Sequence, residues 1–341
     1  MKILLFLNSK SKGGLEIYFI KTAIKLREKG LNVTMFLNKK SELKIKDLCK
    51  INIKEAIFKS WDIVHFFRSS DIIFSRFLRA KKIFFTNMMG LNVSKKDLYH
   101  KFLYKKIDKI FAISESVKKE LEENLPIEKD KIVLLYPGVD VNYFKRDESL
   151  RKNFREKFGI GEEEIVISNT SRFEEKKGQK ELIMVFKELS KKYKNLKLFL
   201  QGAVQDKKYF RELKRIAPEN VYFLNFSLDT KPLLCASDIY VFPSYSEALG
   251  FSLIEAMSSE LPCIAFAERA IPEIIEDSES GFLVRNKNLK DLKEKIEILI
   301  NNKNLRKEIG KKARERVKEK FNMDKYIENL IYFYNLKEDF Y

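Results

Sequence analysis

Short apolar runs alternate along the chain with amphipathic segments such as residues 16–29 and 115–124. This alternation is typical of strands that are joined by helices in a parallel sheet. The first series of predicted strands is Ile3–Leu7, Val33–Leu37, Ile63–Phe67, Ile83–Thr86, Ile110–Ile113 and Ile132–Tyr136. The second series is Ile165–Asn169, Leu196–Gln201, Val221–Phe226, Ile239–Pro243, Cys263–Phe266 and Gly281–Val284. The pattern therefore predicts an α/β protein with two doubly wound, Rossmann-like domains.

The chain length agrees with two domains, because 341 residues can build two cores of ordinary size. The turn residues Pro137 and Gly138 precede a segment, Val141–Ser149, that is typical of a linker. We expect a first domain over residues 1–145 and a second over residues 146–321. We also expect a C-terminal helix over residues 322–341 that packs back on the first domain.

The charge of the chain is concentrated in its first half. The whole chain has 67 Lys and Arg against 49 Asp and Glu, a formal net charge of +18. Residues 1–146 hold 31 against 16, a balance of +15, whereas residues 147–341 hold 36 against 33, a balance of +3. A local excess of this size indicates an anionic partner, which could be a nucleic acid, an acidic membrane or a substrate. A lysine-rich composition that merely keeps the chain in solution is the alternative.

Cysteine usage and hydropathy exclude several classes of protein. Cys49, Cys235 and Cys263 lie far apart with no CxxC pair, which favours buried thiols in a reducing compartment over disulfides or a zinc site. The apolar run Ile3–Leu7 has five residues and is too short for a signal peptide. No stretch approaches the roughly 20 apolar residues of a membrane span. We expect a soluble or peripheral protein.

Three segments that follow predicted strands carry candidate chemistry, because ligands of parallel sheets bind beyond the carboxyl ends of the strands. The first is Gly13-Gly14 with Glu16, where backbone N–H groups can approach an anion at the start of a helix. It matches neither GxGxxG nor a P-loop, and an ordinary tight turn is the alternative.

The second segment runs from Ser171 to Gly178 and contains Arg172 and Lys177. Arginine offers a planar fork of donors and lysine a point charge, so the pair can clamp a diphosphate. A charged loop that faces only solvent is the alternative interpretation.

The third segment, residues 243–257, places Glu247 in a loop after a strand and Glu255 eight positions later inside a helix. Leu249, Gly250 and Phe251 fall at the start of that helix, where free N–H groups and the helix dipole attract phosphate. In the alternative interpretation, Glu247 caps the helix and Glu255 is solvated.

This third segment resembles the E-x7-E motif of the retaining nucleotide-sugar glycosyltransferases of family 4, which have the GT-B fold of two Rossmann-like domains facing a central cleft. Gly13-Gly14 resembles the family's N-terminal glycine loop, and Arg172 with Lys177-Gly178 resembles its G-R-L-x-x-x-K-G loop. Further segments match in the family's order: Asp62-Ile-Val-His65, Ser114-Glu-Ser-Val-Lys118, Pro137-Gly-Val-Asp140 with Phe144, Pro272-Glu-Ile274 and Ser280-Gly-Phe-Leu-Val284. The resemblance covers essentially the whole chain.

The resemblance implies a donor site in the second domain and an acceptor site in the first. Arg172 and Lys177 would hold the diphosphate and offset the charge that grows on the leaving group. Glu247 would contact sugar hydroxyls near the reacting carbon, and these three residues are the implied catalytic set. The backbone of residues 249–251 would contact sugar and phosphate, and Glu255 would hold the ribose hydroxyls.

The resemblance also implies that Gly14 brings a backbone N–H to the phosphates when the domains close. Base contacts would come largely from backbone around residues 202–204 and 226–227. No cofactor and no metal are expected, because the cationic pair replaces the metal and the nucleotide sugar is a substrate.

The sequence departs from the family pattern at two informative places. A histidine that commonly follows the fourth strand is missing from Phe84–Gly90, where Asn87 could still contact sugar or acceptor. Arg269-Ala270 stands where the family has a glycine pair. His65 matches a strand-end position of the family, and we favour a structural role over a contact with sugar or acceptor.

Residues 94–107 predict a helix with Leu98, Tyr99, Phe102, Leu103 and Ile107 on one face. That face is flanked by five lysines, Lys95, Lys96, Lys101, Lys105 and Lys106. Basic residues beside an apolar stripe indicate a helix that docks on anionic lipid. A stripe that faces the core, with solvated lysines, is the alternative.

The sequence as a whole predicts a retaining, metal-independent hexosyltransferase. It would move a sugar from a UDP- or GDP-sugar to a membrane-associated glycan acceptor in cell-surface polysaccharide, lipopolysaccharide or glycolipid synthesis. We expect it in the cytoplasm, peripheral on the inner face of the membrane, with no nucleic-acid partner. The alternatives are a basic nucleic-acid-binding protein, for which the sequence shows no recognition motif, and a weakly active or inactive relative that binds nucleotide sugar.

Overall fold

The computed structural model describes residues 1–10, 13–38, 50–91 and 93–335, which form two compact units. The first unit is Met1–Pro137 with the segment that begins at Met323, and the second is Gly138–Asn322. The boundary lies eight residues before the expected one. The backbone explains the difference, because Val139 N donates to Phe321 O (2.9 Å) and Arg314 Nη2 donates to Val141 O (3.0 Å), which ties the start of the expected linker to the second unit.

The first unit is built on a six-stranded parallel sheet in the order β2-β1-β3-β4-β5-β6. The strands are β1 Lys2–Leu7, β2 Asn32–Leu37, β3 Ser60–Phe66, β4 Arg79–Asn87, β5 Lys109–Ala112 and β6 Ile132–Leu134. The helices are α1 Gly14–Glu28, α2 Ile53–Phe58, α3 Leu98–Tyr104, α4 Glu115–Asn124 and α13 Met323–Asn335, with 3-10 turns at Ser69–Arg76 and Lys129–Lys131.

The second unit repeats this plan with the sheet order β12-β11-β10-β7-β8-β9, again all parallel. The strands are β7 Ile165–Thr170, β8 Leu196–Gly202, β9 Val221–Asn225, β10 Ile239–Phe242, β11 Cys263–Phe266 and β12 Phe282–Val284. The helices are α5 Glu148–Lys157, α6 Gln179–Lys192, α7 Lys207–Ile216, α8 Lys231–Ala236, α9 Phe251–Ser258, α10 Ile271–Ile274, α11 Leu289–Asn301 and α12 Lys303–Lys320, with a 3-10 turn at Glu175–Lys177.

All twelve predicted strands are present in the structure, with ends that shift by a few residues. Their central residues are buried on both faces of each sheet; β1, for example, is buried from Ile3 to Leu7. Helices cover both faces of such a sheet, so its strands are continuous apolar runs and not alternating ones. This is why the runs could be recognised in the sequence.

Helix α13 packs on the first unit, although it follows the second in the chain. The centroid of its Tyr326 ring lies 5.6 Å from that of Tyr18 on α1, and the Tyr334 hydroxyl lies 2.6 Å from Nδ1 of His65 on β3.

The net charge can be divided between these two units. The first holds 31 Lys and Arg against 19 Asp and Glu, a balance of +12, and the second holds 36 against 30, a balance of +6. The basic excess is therefore largest in the first unit but is not confined to it.

Two further expectations concern cysteines and membrane spans. Cys235 and Cys263 are buried free thiols, and Cys49 lies outside the described residues. In the part of the chain that the structure describes, no helix is both long and apolar enough to cross a membrane.

Candidate active site

The loops that follow β7 and β10 lie side by side at the carboxyl edge of the second sheet. β7 and β10 are neighbours, and the strand order runs outward in opposite directions from them. Such a switch point opens a crevice in which parallel sheets bind ligands. The two loops are joined by a hydrogen bond from Tyr245 N to Lys176 O (2.9 Å). The structure thereby brings together the second and third segments predicted from the sequence.

Gly178 makes this close approach of the loops possible. Its φ is +68°, and a Cβ atom at this position would lie 1.9 Å from the carbonyl oxygen of Pro243. Any other residue would both strain the left-handed backbone and push the loops apart. The close packing of the two loops therefore requires glycine at the position that follows Lys177.

Lys177 and Glu247 form an ion pair across the two loops. Lys177 Nζ lies 2.5 Å from Glu247 Oε1, and the Ser244 hydroxyl donates to the same oxygen at 2.8 Å. The side chains are only 11% and 16% exposed, so solvent screens this pair less than a surface pair. The pairing fixes the direction of the lysine ammonium group at the edge of the sheet.

Arg172 is paired with a carboxylate that the sequence did not single out. Arg172 Nη2 lies 3.0 Å from Glu174 Oε1, and Lys176 Nζ lies 3.7 Å from the other oxygen of Glu174. The Arg172 side chain is half exposed, whereas that of Glu174 is mostly buried. Glu174 thus offsets positive charge next to the residue expected to hold a diphosphate.

Two buried amides support the Arg172 loop, and the sequence analysis did not identify either. Gln179 Nε2 donates to Ser171 Oγ and to Arg172 O, both at 2.8 Å. Asn169 Nδ2 donates to Val241 O at 2.8 Å, and its Oδ1 accepts from Ser171 Oγ at 2.7 Å. Both residues are completely buried, so these bonds satisfy groups that would otherwise be costly. The three polar residues at the end of β7, Ser168, Asn169 and Thr170, were the available signal.

Helix α9 begins at the third segment, as the sequence predicted. Gly250 precedes the helix with φ +110°, which favours glycine, and Leu249 is buried. The first amides of a helix have no intrahelical partner and can bind an anion. Glu255 lies about one turn into the helix, and the hydroxyl of Thr230 donates to its Oε2 at 3.3 Å. Thr230 is another residue that the sequence analysis missed.

Tyr143 is directed toward the same end of the second unit. Burial raises its pKa to about 12, assisted by a hydrogen bond to Asp229 and by the charge of Glu255. The Lys231 ammonium group lies 5.3 Å from its ring centroid. The tyrosine is therefore protonated at neutral pH and can donate a hydrogen bond.

Arg269 occupies the position at which the family has a glycine pair. Its φ of +47° is in the left-handed region that glycine adopts readily. Its Nη1 donates to the Ser246 hydroxyl in the loop after β10, at 3.3 Å. The backbone shape that glycine would allow is thus retained with a cationic side chain in its place.

The predicted residues of the first unit fall at separate places. Gly14 is the first residue of α1, and a Cβ atom there would meet nothing within 4 Å. Glu16 accepts a hydrogen bond from Gly13 N at 2.8 Å, which fixes the start of the helix. The backbone at Gly14 is therefore approachable, and its role toward phosphate stays a prediction.

The suggestion that His65 contacts sugar or acceptor is wrong. The ring is completely buried, and its nitrogens are bonded to the hydroxyls of Tyr334 (2.6 Å) and Thr86 (2.7 Å). Burial lowers its pKa from 6.5 to about 3, so the ring is neutral. Asn87 is also buried, and its Oδ1 accepts from the amides of Met89 and Gly90, which closes a turn after β4. A sugar contact by Asn87 stays a prediction.

The predicted lysine-rich helix is shorter than expected and its apolar stripe is divided. Helix α3 covers Leu98–Tyr104, with Asp97 as its N-cap. Leu103 and Ile107 are buried, whereas Leu98, Tyr99 and Phe102 are 83%, 58% and 57% exposed. The expected lysines lie around these exposed side chains: Lys96, Lys101, Lys105 and Lys106 are exposed, and Lys95 is partly buried.

Neither unit shows a cluster of metal-ligand type among its described residues. No group of three or more His, Cys, Asp or Glu side chains there could hold a metal ion.

Comparison with known proteins places the chain in a family. The family model "Glycosyl transferases group 1" matches residues 151–316, and "Glycosyltransferase Family 4" matches residues 53–143. The chain belongs to the group 1 glycosyltransferases. One relative of this glycosyltransferase is the capsular polysaccharide biosynthesis glycosyltransferase CapM of Staphylococcus aureus. The two are 32% identical over 236 residues, and this alignment covers 67% of the chain and 62% of CapM. The chain spans about three fifths of the length of CapM and of two further curated relatives.

Solved structures identify the fold of this glycosyltransferase as GT-B. Anabaena HepE, in complex with UDP and glucose, has a TM-score of 0.83 and 18% identity, over 98% of this chain and 99% of HepE. WaaG, a glycosyltransferase involved in lipopolysaccharide biosynthesis, has a TM-score of 0.73 and 18% identity, over 98% of this chain and all of WaaG. At these identities the likeness shows the fold alone.

Proposed function

We propose that this glycosyltransferase moves a sugar from a UDP- or GDP-sugar to a glycan acceptor with retention of the anomeric configuration. The observation that carries the proposal is the Lys177–Glu247 ion pair, which lies beside the Arg172 loop at the switch point of the second sheet. HepE, which shares the fold, was solved with UDP and glucose, which supports a nucleotide-sugar donor.

Arg172 and Lys177 supply the positive charge that this reaction requires. As the bond from the sugar to the diphosphate breaks, negative charge grows on the leaving group. Fixed cations stabilise that charge without reorganising, and such a term is usually the largest in catalysis. In the structure both cations are held by carboxylates, Arg172 by Glu174 and Lys177 by Glu247. A bound diphosphate competes with these carboxylates, and the proposed reaction uses no metal.

The remaining donor contacts follow the layout of the second unit. The amides at the start of α9 and the Glu247 carboxylate would bind the sugar and its phosphate. Glu255, with Thr230 beside it, would bind the ribose hydroxyls. Glu247 accepts from both Lys177 and Ser244, so we assign it to positioning and not to proton abstraction. A phosphate oxygen of the donor would deprotonate the acceptor hydroxyl, which leads to retention.

We further propose that the acceptor belongs to cell-surface glycan synthesis and is presented at the inner face of the cell membrane. CapM acts in capsular polysaccharide biosynthesis, which supports this class of acceptor. The first unit carries the balance of +12 and exposes Leu98, Tyr99 and Phe102 among lysines. Exposed apolar side chains within a basic surface fit an anionic bilayer, because apolar burial and electrostatic attraction both favour binding.

A donor panel tests the proposal directly. Release of UDP or GDP is measured from a set of sugar nucleotides, with and without membrane-extracted acceptor, for the parent and the Arg172→Ala and Glu247→Ala variants. We expect turnover with one donor and loss of at least a hundredfold in each variant. Anomeric retention is read from the product by NMR. Lys194→Ala, at an exposed position remote in sequence from these loops, is the control and should retain parent activity.

Two outcomes separate the alternatives. Nucleotide-sugar binding without turnover for any donor would support the inactive relative. Tight, strongly salt-dependent binding of duplex or single-stranded nucleic acid, with no response to sugar nucleotides, would support the nucleic-acid-binding protein.

A further inference from the structure

A cationic cavity lies in the second unit at the edge of the sheet opposite to the donor loops. Its volume is about 350 Å³. Two of its lining residues, Asp238 and Pro262, directly precede β10 and β11, whereas the donor loops follow the carboxyl ends of the strands. β10 has four residues and separates the two edges by roughly 13 Å at 3.3 Å per residue. The cavity is therefore distinct from the donor site.

The lining of the cavity has an excess of positive charge. Six of its residues are cationic, namely Arg146, Arg151, Lys303, Arg306, Lys307 and Lys311, and three are acidic, namely Glu148, Asp238 and Glu260. This local excess of +3 is half of the balance of +6 for the whole unit. Half of the net charge of the second unit is therefore located at this one cavity.

The three lysines repeat at every fourth residue of α12 and lie on one face of it. Lys303, Lys307 and Lys311 have no carboxylate within ion-pair distance among the described residues, whereas Lys312 on the same helix contacts Glu279 and Glu308. Like charges at this spacing destabilise a helix. An anion that bridges them would remove this repulsion.

The start of α12 adds to the positive potential. The first turn of the helix holds Lys303 and Arg306 and has no acidic residue. Helices usually carry acids at this end, because the helix dipole is positive there. The dipole and the side chains of α12 therefore act in the same direction, toward an anion.

Two of the three arginines of the cavity, Arg151 and Arg306, are held rigidly. Arg306 Nη1 donates to the carbonyl oxygens of Leu299 (2.5 Å) and Ile300 (3.0 Å) at the end of α11. Arg151 Nη1 donates to three carbonyl oxygens at the end of α8, and its Nη2 lies 2.7 Å from Asp238 Oδ1. Guanidinium groups held in place lose little entropy when they bind an anion.

We propose that this cavity binds a small anion that carries two or more phosphate groups. Flexible lysines beside fixed arginines suit phosphate oxygens, and the lysines of α12 extend over about 12 Å at 1.5 Å per residue, more than one phosphate can contact. A cavity of this volume holds a diphosphate, since 350 Å³ corresponds to roughly ten water molecules. The proposal does not depend on glycosyl transfer.

Calorimetric titration with inorganic pyrophosphate tests the proposal. The full chain is used with Arg172→Ala and Lys177→Ala already introduced, so that the donor loops no longer compete for the anion. We expect saturable binding that weakens as salt is raised. Adding Lys303→Gln, Lys307→Gln and Lys311→Gln should weaken binding at least tenfold. Adding Lys187→Gln, Lys191→Gln and Lys194→Gln, three exposed lysines on and after α6, should change it less than twofold.

Pyrophosphate binding that is weakened only by the substitutions in α12 supports the proposal. Absence of pyrophosphate binding, or an equal effect of the two triple substitutions, overturns the proposal and leaves the donor chemistry untouched. Because all six lysines are exposed, thermal unfolding should show a folded protein for both triple variants. Sedimentation with vesicles that contain phosphatidylinositol bisphosphate, a lipid with more than one phosphate group, then identifies the source of the phosphate. A soluble anion predicts equal vesicle binding by the two variants, whereas a lipid head group predicts a loss only in the cavity variant.

Discussion

The ammonium group of Lys177 lies 2.5 Å from the carboxylate of Glu247, although 70 positions separate the two residues in the chain. One follows β7 and the other follows β10, and the adjacency of these strands brings them together. The contact links the cation that would face the leaving diphosphate to the carboxylate that would face the sugar. Each residue thus helps to position the other.

We predict that Lys177→Ala lowers kcat by about 10²–10³-fold, because the variant removes a fixed charge that stabilises the leaving group. The change in KM should be smaller, since the charge acts most strongly after the bond begins to break. Steady-state kinetics with the donor found in the panel measure both quantities.

Lys176→Ala is the matched control for this prediction. Lys176 is the adjacent lysine, but it is exposed and faces Glu174, not Glu247. Its variant should stay within a few fold of the parent in kcat. Equal losses in the two variants would show that only the overall charge of the loop matters.

Glu174→Gln should tighten the binding of UDP or GDP by about 1.5- to 5-fold. The carboxylate lies 3.0 Å from Arg172, and a bound diphosphate has to compete with it. The expected gain is small because Arg172 is half exposed, and ion pairs of this kind contribute about 0.2–1 kcal/mol. Calorimetry gives the dissociation constant. Glu175→Gln removes an exposed neighbouring charge and should have a smaller effect, so equal effects would contradict a specific role for Glu174.

Acidification should destabilise the first unit through His65. Its pKa is about 3 in the folded protein because the ring is buried, against 6.5 for the free side chain. Below pH 6.5 the unfolded chain therefore binds a proton that the folded chain does not bind. The free energy of unfolding consequently falls as the pH is lowered from 6.5 toward 3. The loss due to this group is about 1.4 kcal/mol per pH unit.

Chemical denaturation at pH 7.5 and 5.0 measures this effect. The parent should lose about 2 kcal/mol more than His65→Gln, which cannot take up the proton, because 1.5 pH units lie below 6.5. His100→Gln alters the chain's other histidine and should keep the His65 contribution. The same pH dependence in His65→Gln and in the parent would refute the assignment.

Vesicle binding should depend on the exposed face of α3. Replacing Leu98 and Phe102 by Ala, or Lys101, Lys105 and Lys106 by Glu, should each weaken binding to anionic vesicles several fold, and salt should weaken binding by the parent. Co-sedimentation with vesicles of graded phosphatidylglycerol content provides the measurement. Lys54, Lys59 and Lys129 changed to Glu alter the net charge equally at other exposed positions. An equal effect of this control set would mean that only net charge matters.

Much of the fold was accessible from the sequence because buried parallel strands are continuous apolar runs. Helix starts were accessible for a similar reason, since Ser114 caps α4 by accepting from Val117 N at 3.2 Å, and such caps are local. The fate of the apolar side chains of α3 was not accessible. Helical spacing put Phe102 and Leu103 on one face, but the short helix buries Leu103 and leaves Phe102 exposed beneath the guanidinium of Arg76, 3.8 Å from the ring centroid.

The sequence by itself determined the two parallel sheets and the segments that bear the charged residues expected to bind the donor, because burial periodicity and loop composition are local properties. Only the tertiary structure decided which charges meet. Lys177 with Glu247, Thr230 with Glu255 and Tyr334 with His65 are contacts fixed by strand order and helix packing. The same packing brings Arg146 and Arg151 to one cavity with the lysines of α12. Such pairings depend on distances across the fold of a few ångströms, which spacing along the chain does not encode.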